Sequence, residues 1–234
     1  ISKDNILTLY GKDSNSRIAD DPENPKRIFS WLISETRDDK GNAVIYEYKP
    51  EDGSGVNLAL PHECNRGDPN DQRRTANRYI KHIFYGNRTP FLDDAGQRPC
   101  FLTQEQLENE HWMFEVVFDY EDHNATDPKP RDDEEDATGT PPKCSWVYRK
   151  DPFSTYRAGF EVRTTRLCQR ILMFHHFPDE AQVGNDCLVR SSDFNYTHEL
   201  EPENARNPVY TFLQAVTQTG YQRDGAGYQK RELP

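Results

Sequence analysis

The sequence predicts a mainly β protein: antiparallel sheets in a large shell- or sandwich-like arrangement, with long polar loops and little helix. Three observations carry this prediction. Runs of alternating apolar and polar residues recur along the 234 residues, and a two-residue period belongs to strands with one buried face. Aromatic residues make up 12% of the chain although only 34% is hydrophobic, and mean hydropathy is −1.00. Those values fit a thin core of rings on alternating strands, with much of the chain in polar loops. The connections are of hairpin type, without a βαβ rhythm.

The chain is organised around residues 151–177. Phe160, Val162 and Thr164 alternate with Glu161, Arg163 and Thr165. Residues 167–174 are apolar at most positions, which suits a strand covered on both faces. A helix is the competing assignment. The β-branched and aromatic content, with Pro178 closing the run, favours the strand. The stretch therefore reads as the middle of a large sheet.

Taken in order, residues 6–10 form a short strand inside a turn-rich lead-in. Residues 27–35 form a strand with Phe29, Trp31 and Ile33 on one face. Residues 37–42 make a turn in which Gly41 can take positive φ. Residues 43–49 return with Val44, Tyr46 and Tyr48 on one side, completing a hairpin. Residues 51–77 show almost no periodicity and read as a long loop. Residues 78–87 are a strand, with Tyr79, Ile83 and Tyr85 set against Ile80, His82 and Phe84.

Thr103 and Gln106 match a capping box that starts a short helix reaching Glu110. Residues 111–120 are the cleanest strand. Trp112, Phe114, Val116, Phe118 and Tyr120 alternate with Met113, Glu115, Val117 and Asp119. The ring-bearing set is the expected buried face. Residues 122–143 carry seven acidic residues against three basic, with Pro128, Pro130, Pro141 and Pro142. Like charge and proline predict a mobile, solvated acidic loop. Residues 186–197 and 208–221 are further strands, and Gly220, Gly225 and Gly227 bracket the last turn.

A net charge of −11 argues against nucleic-acid binding, which needs a positive footprint. No run of eighteen apolar residues exists, so no helical membrane span is expected. The first ten residues lack a signal-peptide pattern. The abrupt end at Pro234 reads as that of a piece excised from a longer protein. The five cysteines, Cys64, Cys100, Cys144, Cys168 and Cys187, are odd in number and scattered, a poor disulfide framework. Cys168 and Cys187 sit in strand-like runs and read as buried free thiols.

Each candidate for chemistry meets a physical objection. His175 and His176 invite a metal, but neighbours on a strand face opposite ways. His62, Glu63 and Cys64 could add ligands from a loop, without supporting spacing. Cys168 and His175 as nucleophile and base lie seven residues apart on one strand, roughly 23 Å if extended. Glu115, Asp119 and Glu121 recur at alternating spacing. Paired carboxylates of this kind can perform acid–base work on sugars, and a polar, solvated sheet face explains them as well. Sequons at Asn87, Asn124 and Asn195 matter only on a eukaryotic secretory route. No catalytic, cofactor-binding or metal residue is assigned, and no cofactor is expected.

Several separated blocks together resemble the SpvB N-terminal domain family. They include Ser30-Trp31-Leu32-Ile33-Ser34-Glu35, Asp38-Asp39-Lys40-Gly41-Asn42, Arg78-Tyr79-Ile80-Lys81 and Ile83-Phe84-Tyr85-Gly86-Asn87. Phe114-Glu115-Val116-Val117-Phe118-Asp119-Tyr120, Arg149-Lys150-Asp151-Pro152-Phe153-Ser154 and Phe160-Glu161-Val162-Arg163-Thr164 extend the match. Arg166-Leu167-Cys168 leading into Leu172-Met173-Phe174-His175-His176-Phe177 is its most diagnostic part. Leu188-Val189-Arg190-Ser191-Ser192-Asp193-Phe194 and Val216-Thr217-Gln218-Thr219-Gly220-Tyr221 complete it. Residues 51–77, 91–110 and 122–143 depart from the family's pattern.

The resemblance implies a single β domain over residues 1–234, preceding a β-propeller. It implies a structural, non-enzymatic part of a toxin-complex B-like protein, released or secreted with its complex. There the sheets help form a hollow shell with an Rhs-repeat C component and hold a toxin inside, while the propeller docks on a pore-forming A component. One face of each sheet would pack and the other would turn to a lumen or partner. Some members carry an ADP-ribosyltransferase as a separate C-terminal domain. Its Glu-x-Glu element occurs at Glu108-Asn109-Glu110 and Glu199-Leu200-Glu201, but no Ser-Thr-Ser occurs, so no catalysis is carried over. Two other classes stay open: a carbohydrate- or cell-surface-binding β module with exposed rings as platforms, and an enzyme using Glu115 or Asp119.

Overall fold

The computed structural model describes residues 1–22, 25–134, 142, 144–197, 210–225 and 227–233. In chain order the strands are β1 (Leu7–Tyr10), β2 (Arg17–Ala19), β3 (Ile28–Trp31), β4 (Ile33–Arg37), β5 (Ala43–Pro50) and β6 (Arg78–Tyr85). They continue with β7 (Phe114–Asp119), β8 (Phe153–Thr155), β9 (Val162–Thr164), β10 (Arg170–Phe177), β11 (Gly184–Tyr196), β12 (Leu213–Asp224) and β13 (Gly227–Leu233). Two short helices, α1 (Pro61–Cys64) and α2 (Gln104–Glu108), lie in the connections. Nine strands form one antiparallel sheet in the order β1-β4-β5-β6-β7-β10-β11-β12-β13, and β2–β3 and β8–β9 form separate pairs. The mainly β, antiparallel prediction holds.

Register divides the main sheet into two unlike faces, because residues directly opposite across strands share a face. On one face Ile45, Phe84, Glu115, Phe174 and Leu188 form a row, and Glu47, His82, Val117, Leu172 and Ser191 form the next. All are buried except Glu47. Phe91 and Leu102, with Leu107 of α2, cover one end of this face, and Tyr221 and Tyr228 of the β12–β13 hairpin pack on the other. On the opposite face the rows are Val44, Tyr85, Phe114 and His175, then Tyr46, Ile83, Val116 and Met173. All eight are half-buried, and none joins a buried cluster among the described residues.

This reverses the expected faces of β7. Glu115, Val117 and Asp119 are buried, whereas Phe114, Val116 and Phe118 are half-buried. The carboxylates can be inside because cationic side chains meet them there. The expectation of a strand covered on both faces is corrected likewise. In β10, Leu172 and Phe174 are buried, but Ile171, Met173 and His175 are half-buried. β10 does lie beside β7, the middle strand of the nine.

Residues 27–35 are two strands rather than one. Leu32 breaks the run because its carbonyl accepts from Gly11 N (2.7 Å) and its N–H donates to Ser16 O (2.8 Å). Gly11 has φ +60°, and the Trp31 ring occupies the place of any side chain there. The capping box at α2 is present, with Thr103 and Gln106 bonded reciprocally. The stretch 51–77 holds α1 and a 3₁₀ turn over Gln72–Thr75, and Glu51 and Glu63 are buried. Residues 122–134 are anchored in part and solvated in part: Asp122, His123, Pro128 and Pro130 are buried, while residues 124–127, 129, 131 and 134 are exposed. Lys49 and Lys81 hold this segment by its aspartates. Residues 135–141 and 143 of the expected acidic loop lie outside the described residues, as do Pro208 and Val209 of the expected last strand.

Candidate functional site

Glu115, near the centre of the sheet, gathers partners from three segments. His82 of β6 lies 2.7 Å from its Oε1, His176 of β10 lies 3.1 Å from its Oε2, and Arg131 of the 122–134 segment lies 3.6 Å away. His176 in turn places Nδ1 3.2 Å from Asp186 of β11. Burial alone would raise the Glu115 pKa, but the hydrogen bonds from His176 and His82 and the Arg131 charge hold it down at about 2. Burial opposes the His176 charge, yet the bonds to Asp186 and Glu115 outweigh it and raise its pKa to about 9. Glu115 is thus a fixed anion and His176 a fixed cation near neutral pH.

One strand end away, Asp119, Asp122 and His123 bring their ligand atoms within 4.8 Å of one another, all buried. The positive charge there comes from the chain itself. Lys81 Nζ lies 2.8 Å from Asp122 Oδ1 and donates to Phe118 O (3.1 Å). Arg170 grips Asp119 at 2.6 Å, and Lys49 bridges Asp122 (3.0 Å) and Asp133 (2.8 Å). Burial disfavours the His123 imidazolium, but bonds to Asp119 and Asp122 raise its pKa to about 9. A protonated imidazole beside a lysine ammonium is a poor metal ligand.

Two further hubs pin the long 51–77 connection. Glu63 is 1% exposed and receives Arg66 (2.7 Å), Arg74 (2.9 Å), Arg163 (2.8 Å) and Tyr148 OH (2.6 Å). Glu51 pairs with Arg166, whose guanidinium stacks 4.3 Å above the buried Trp146 ring. Sequence reasoning missed these hubs. Lone charged residues in a loop carry no spacing signal, and their partners lie up to 115 residues away.

The sequence-derived candidates separate accordingly. His176 faces Glu115, while His175 packs edge-on against Phe114 (5.0 Å) on the other face, so the adjacent pair does divide between faces. Burial and the neighbouring His176 hold His175 below its ordinary pKa. Burial pushes the Cys168 thiol up to about 12, a poor nucleophile. Cys64 is exposed and Cys187 buried, and none of the five cysteines is in a disulfide. Glu121 has φ +68° beyond the end of β7 and does not continue the Glu115–Asp119 row. Asn87 is occupied structurally, accepting from Ala43 N and donating to Gly41 O, both at 2.9 Å. Glu110 accepts from Arg88 N, and Glu199-Leu200-Glu201 lies outside the described residues. No helix among the described residues is long and apolar enough to cross a membrane.

The family described as Salmonella virulence plasmid 65kDa B protein, SpvB, matches residues 1–177. The chain belongs to the SpvB family. It is 34% identical over 224 residues to the mono(ADP-ribosyl)transferase SpvB of Salmonella typhimurium, a match covering 94% of this chain and 32% of that protein. The same figures hold for SpvB of Salmonella choleraesuis. The chain therefore spans about a third of the length of these curated relatives.

Among solved structures, the N-terminal domain of effector protein SpvB from Salmonella typhimurium superimposes with a TM-score of 0.68 at 33% identity. That match covers 94% of this chain and 59% of that one. The complex TcdB2-TccC3-Cdc42 matches with a TM-score of 0.69 at 28% identity, over 98% of this chain and 10% of that one. A mutant Photorhabdus luminescens Tc holotoxin pore matches with a TM-score of 0.68 at 30% identity, over 98% and 9%.

Proposed function

We propose that this chain is a non-enzymatic wall domain of a toxin-complex B-like protein, helping to enclose a toxin that the complex delivers. The observation that carries this reading is the outer sheet face. Val44, Tyr85, Phe114, His175, Tyr46, Ile83, Val116 and Met173 make a half-buried, largely apolar surface across four strands. A surface this apolar calls for a covering partner or a lumen. It is more apolar than a shell strictly needs. The buried carboxylates, meanwhile, are spent on structural cations rather than turned toward a substrate.

The solved TcdB2-TccC3 assemblies, in which about 10% of the matched chain shares this fold, support the reading. By analogy the partners are a C component of Rhs-repeat type and, through the rest of the chain, a pore-forming A component. The protein would be released or secreted with its complex.

The test is assembly and payload delivery by the full complex carrying Glu115→Gln or Asp119→Asn. Each variant that still folds should assemble and deliver. Loss of delivery from a carboxylate change, with assembly intact, would replace the wall reading by an active site.

A further inference from the structure

Two clefts flank the loop-covered face of the sheet, of about 510 and 320 Å³, and they share Phe84, Glu110, Trp112 and Arg131 as their common wall. The groove they make is acidic and aromatic. Glu47, Glu108 and Glu110 line it and form no ion pair with any described residue. Glu47 and Glu108 are exposed and Glu110 is half-buried, so their carboxylates are open to an incoming cation.

Lys12, Arg88 and His176 also line the clefts, and the cation stacked on their shared aromatic wall is the chain's own Arg131. Arg131 sets its guanidinium 5.1 Å above the Phe84 ring, 3.6 Å from Glu115 and 2.7 Å from Glu134. Its side chain is 44% exposed, as is 48% of Glu134, so solvent reaches the contact. Such an ion pair is weak. The neighbouring anchors of the segment, Asp122 and Asp133, are buried on Lys49 and Lys81. The segment can therefore stay in place while the Arg131 side chain swings out.

We propose that this groove is a seat for guanidinium groups of an extended, arginine-rich partner segment, with Arg131 as its resident placeholder. Arginine suits the seat better than lysine. A planar guanidinium stacks on Phe84 and Trp112 and still presents donors sideways to Glu47 and Glu110, whereas an ammonium is a compact, strongly hydrated point charge. The inference does not depend on the wall reading, because the groove lies on the face opposite the apolar rows.

The experiment is fluorescence anisotropy with labelled hepta-arginine and hepta-lysine peptides at about 0.15 M salt, where long-range attraction to the acidic surface is screened. Arg131→Ala should tighten hepta-arginine binding at least about fivefold, and hepta-lysine less, by vacating a stacked cation site. Adding Glu47→Gln and Glu110→Gln should reverse the gain. A charge-matched pair elsewhere, Asp39→Asn with Glu232→Gln, should change binding less than about twofold. Arg131→Met, which removes the charge but keeps a side chain over Phe84, should tighten binding less than Arg131→Ala. Unchanged or weaker binding in the folded Arg131 variants overturns the proposal. So does an equal loss from the distant pair, or failure of both Arg131 variants to fold.

Discussion

Nδ1 of His82 lies 2.7 Å from Oε1 of Glu115, and both side chains are buried between the sheet and the loops that cover it. The pair belongs to a chain of contacts that continues through His176 to Asp186, joining β6, β7, β10 and β11 side by side. Removing the central carboxylate strands its cationic partner His176. Breaking a buried pair from one side costs about 3–5 kcal/mol. Glu115→Ala is expected to lower unfolding free energy by that amount, measured by urea titration at neutral pH.

The same chain sets the pH response. The folded His176 value of about 9 stands above the ordinary histidine value of 6.5. Its contribution is therefore complete below about pH 6.5 and disappears as pH rises through 9. His123 follows the same course, also with a folded value of about 9. Glu115 behaves oppositely, with a folded value of about 2 against an ordinary 4.5, so its contribution is present above 4.5 and fades as pH falls toward 2. The urea midpoint should fall between about pH 6.5 and 10, and His176→Gln should flatten part of that fall. An unchanged slope in the variant would remove His176 from the account.

The two faces of the sheet differ in what truncation costs. Leu172 and Val117 are 0% exposed. Leu172→Ala should destabilise by about 2–5 kcal/mol. Met173→Ala, one residue along on the half-buried face, should cost about 1–2 kcal/mol, because less apolar area is returned to water. Comparable losses at both positions would mean that the outer face is packed as tightly as the inner one.

Residues 122–134 are expected to matter for stability. Asp122 is 0% exposed and accepts from both Lys49 and Lys81. Asp122→Ala should cost about 3–5 kcal/mol by leaving ammonium groups short of a counter-charge. Asp127→Ala, in the same segment but on its exposed side, should stay within about 0.5 kcal/mol of wild type.

Much of the strand layout was legible in the sequence, because alternation is a local signal. Residues 6–10, 78–87, 111–120 and 186–197 all contain strands close to their expected bounds. The helix at Thr103 was legible for the same reason, since its capping box spans four residues. Which face of β7 is inside was not legible. Rings outside and carboxylates inside invert the usual preference, and the inversion rests on His82, Lys81, Arg131 and Arg170, none of which lies in β7 itself. The last strand, β13, was missed because Gln229, Lys230, Arg231 and Glu232 carry no apolar alternation and are exposed. The acidic run was misread at its start because composition counts charges but not their partners. The low apolar content has a structural counterpart here: buried ion pairs fasten long loops onto the sheet where a larger protein core would use apolar side chains.

The most direct test of the wall reading is assembly with the outer face altered and the inner face intact. Val116 and Met173 sit opposite each other across β7 and β10. Val116→Lys with Met173→Glu places a favourable cross-strand pair there, worth about 0.2–1 kcal/mol relative to Ala–Ala, while making the surface polar. The full-length double variant should fold, with an unfolding midpoint near that of wild type, yet fail to co-purify by size exclusion with the C component that the wall reading proposes. Normal co-assembly by the folded double variant would contradict the wall reading.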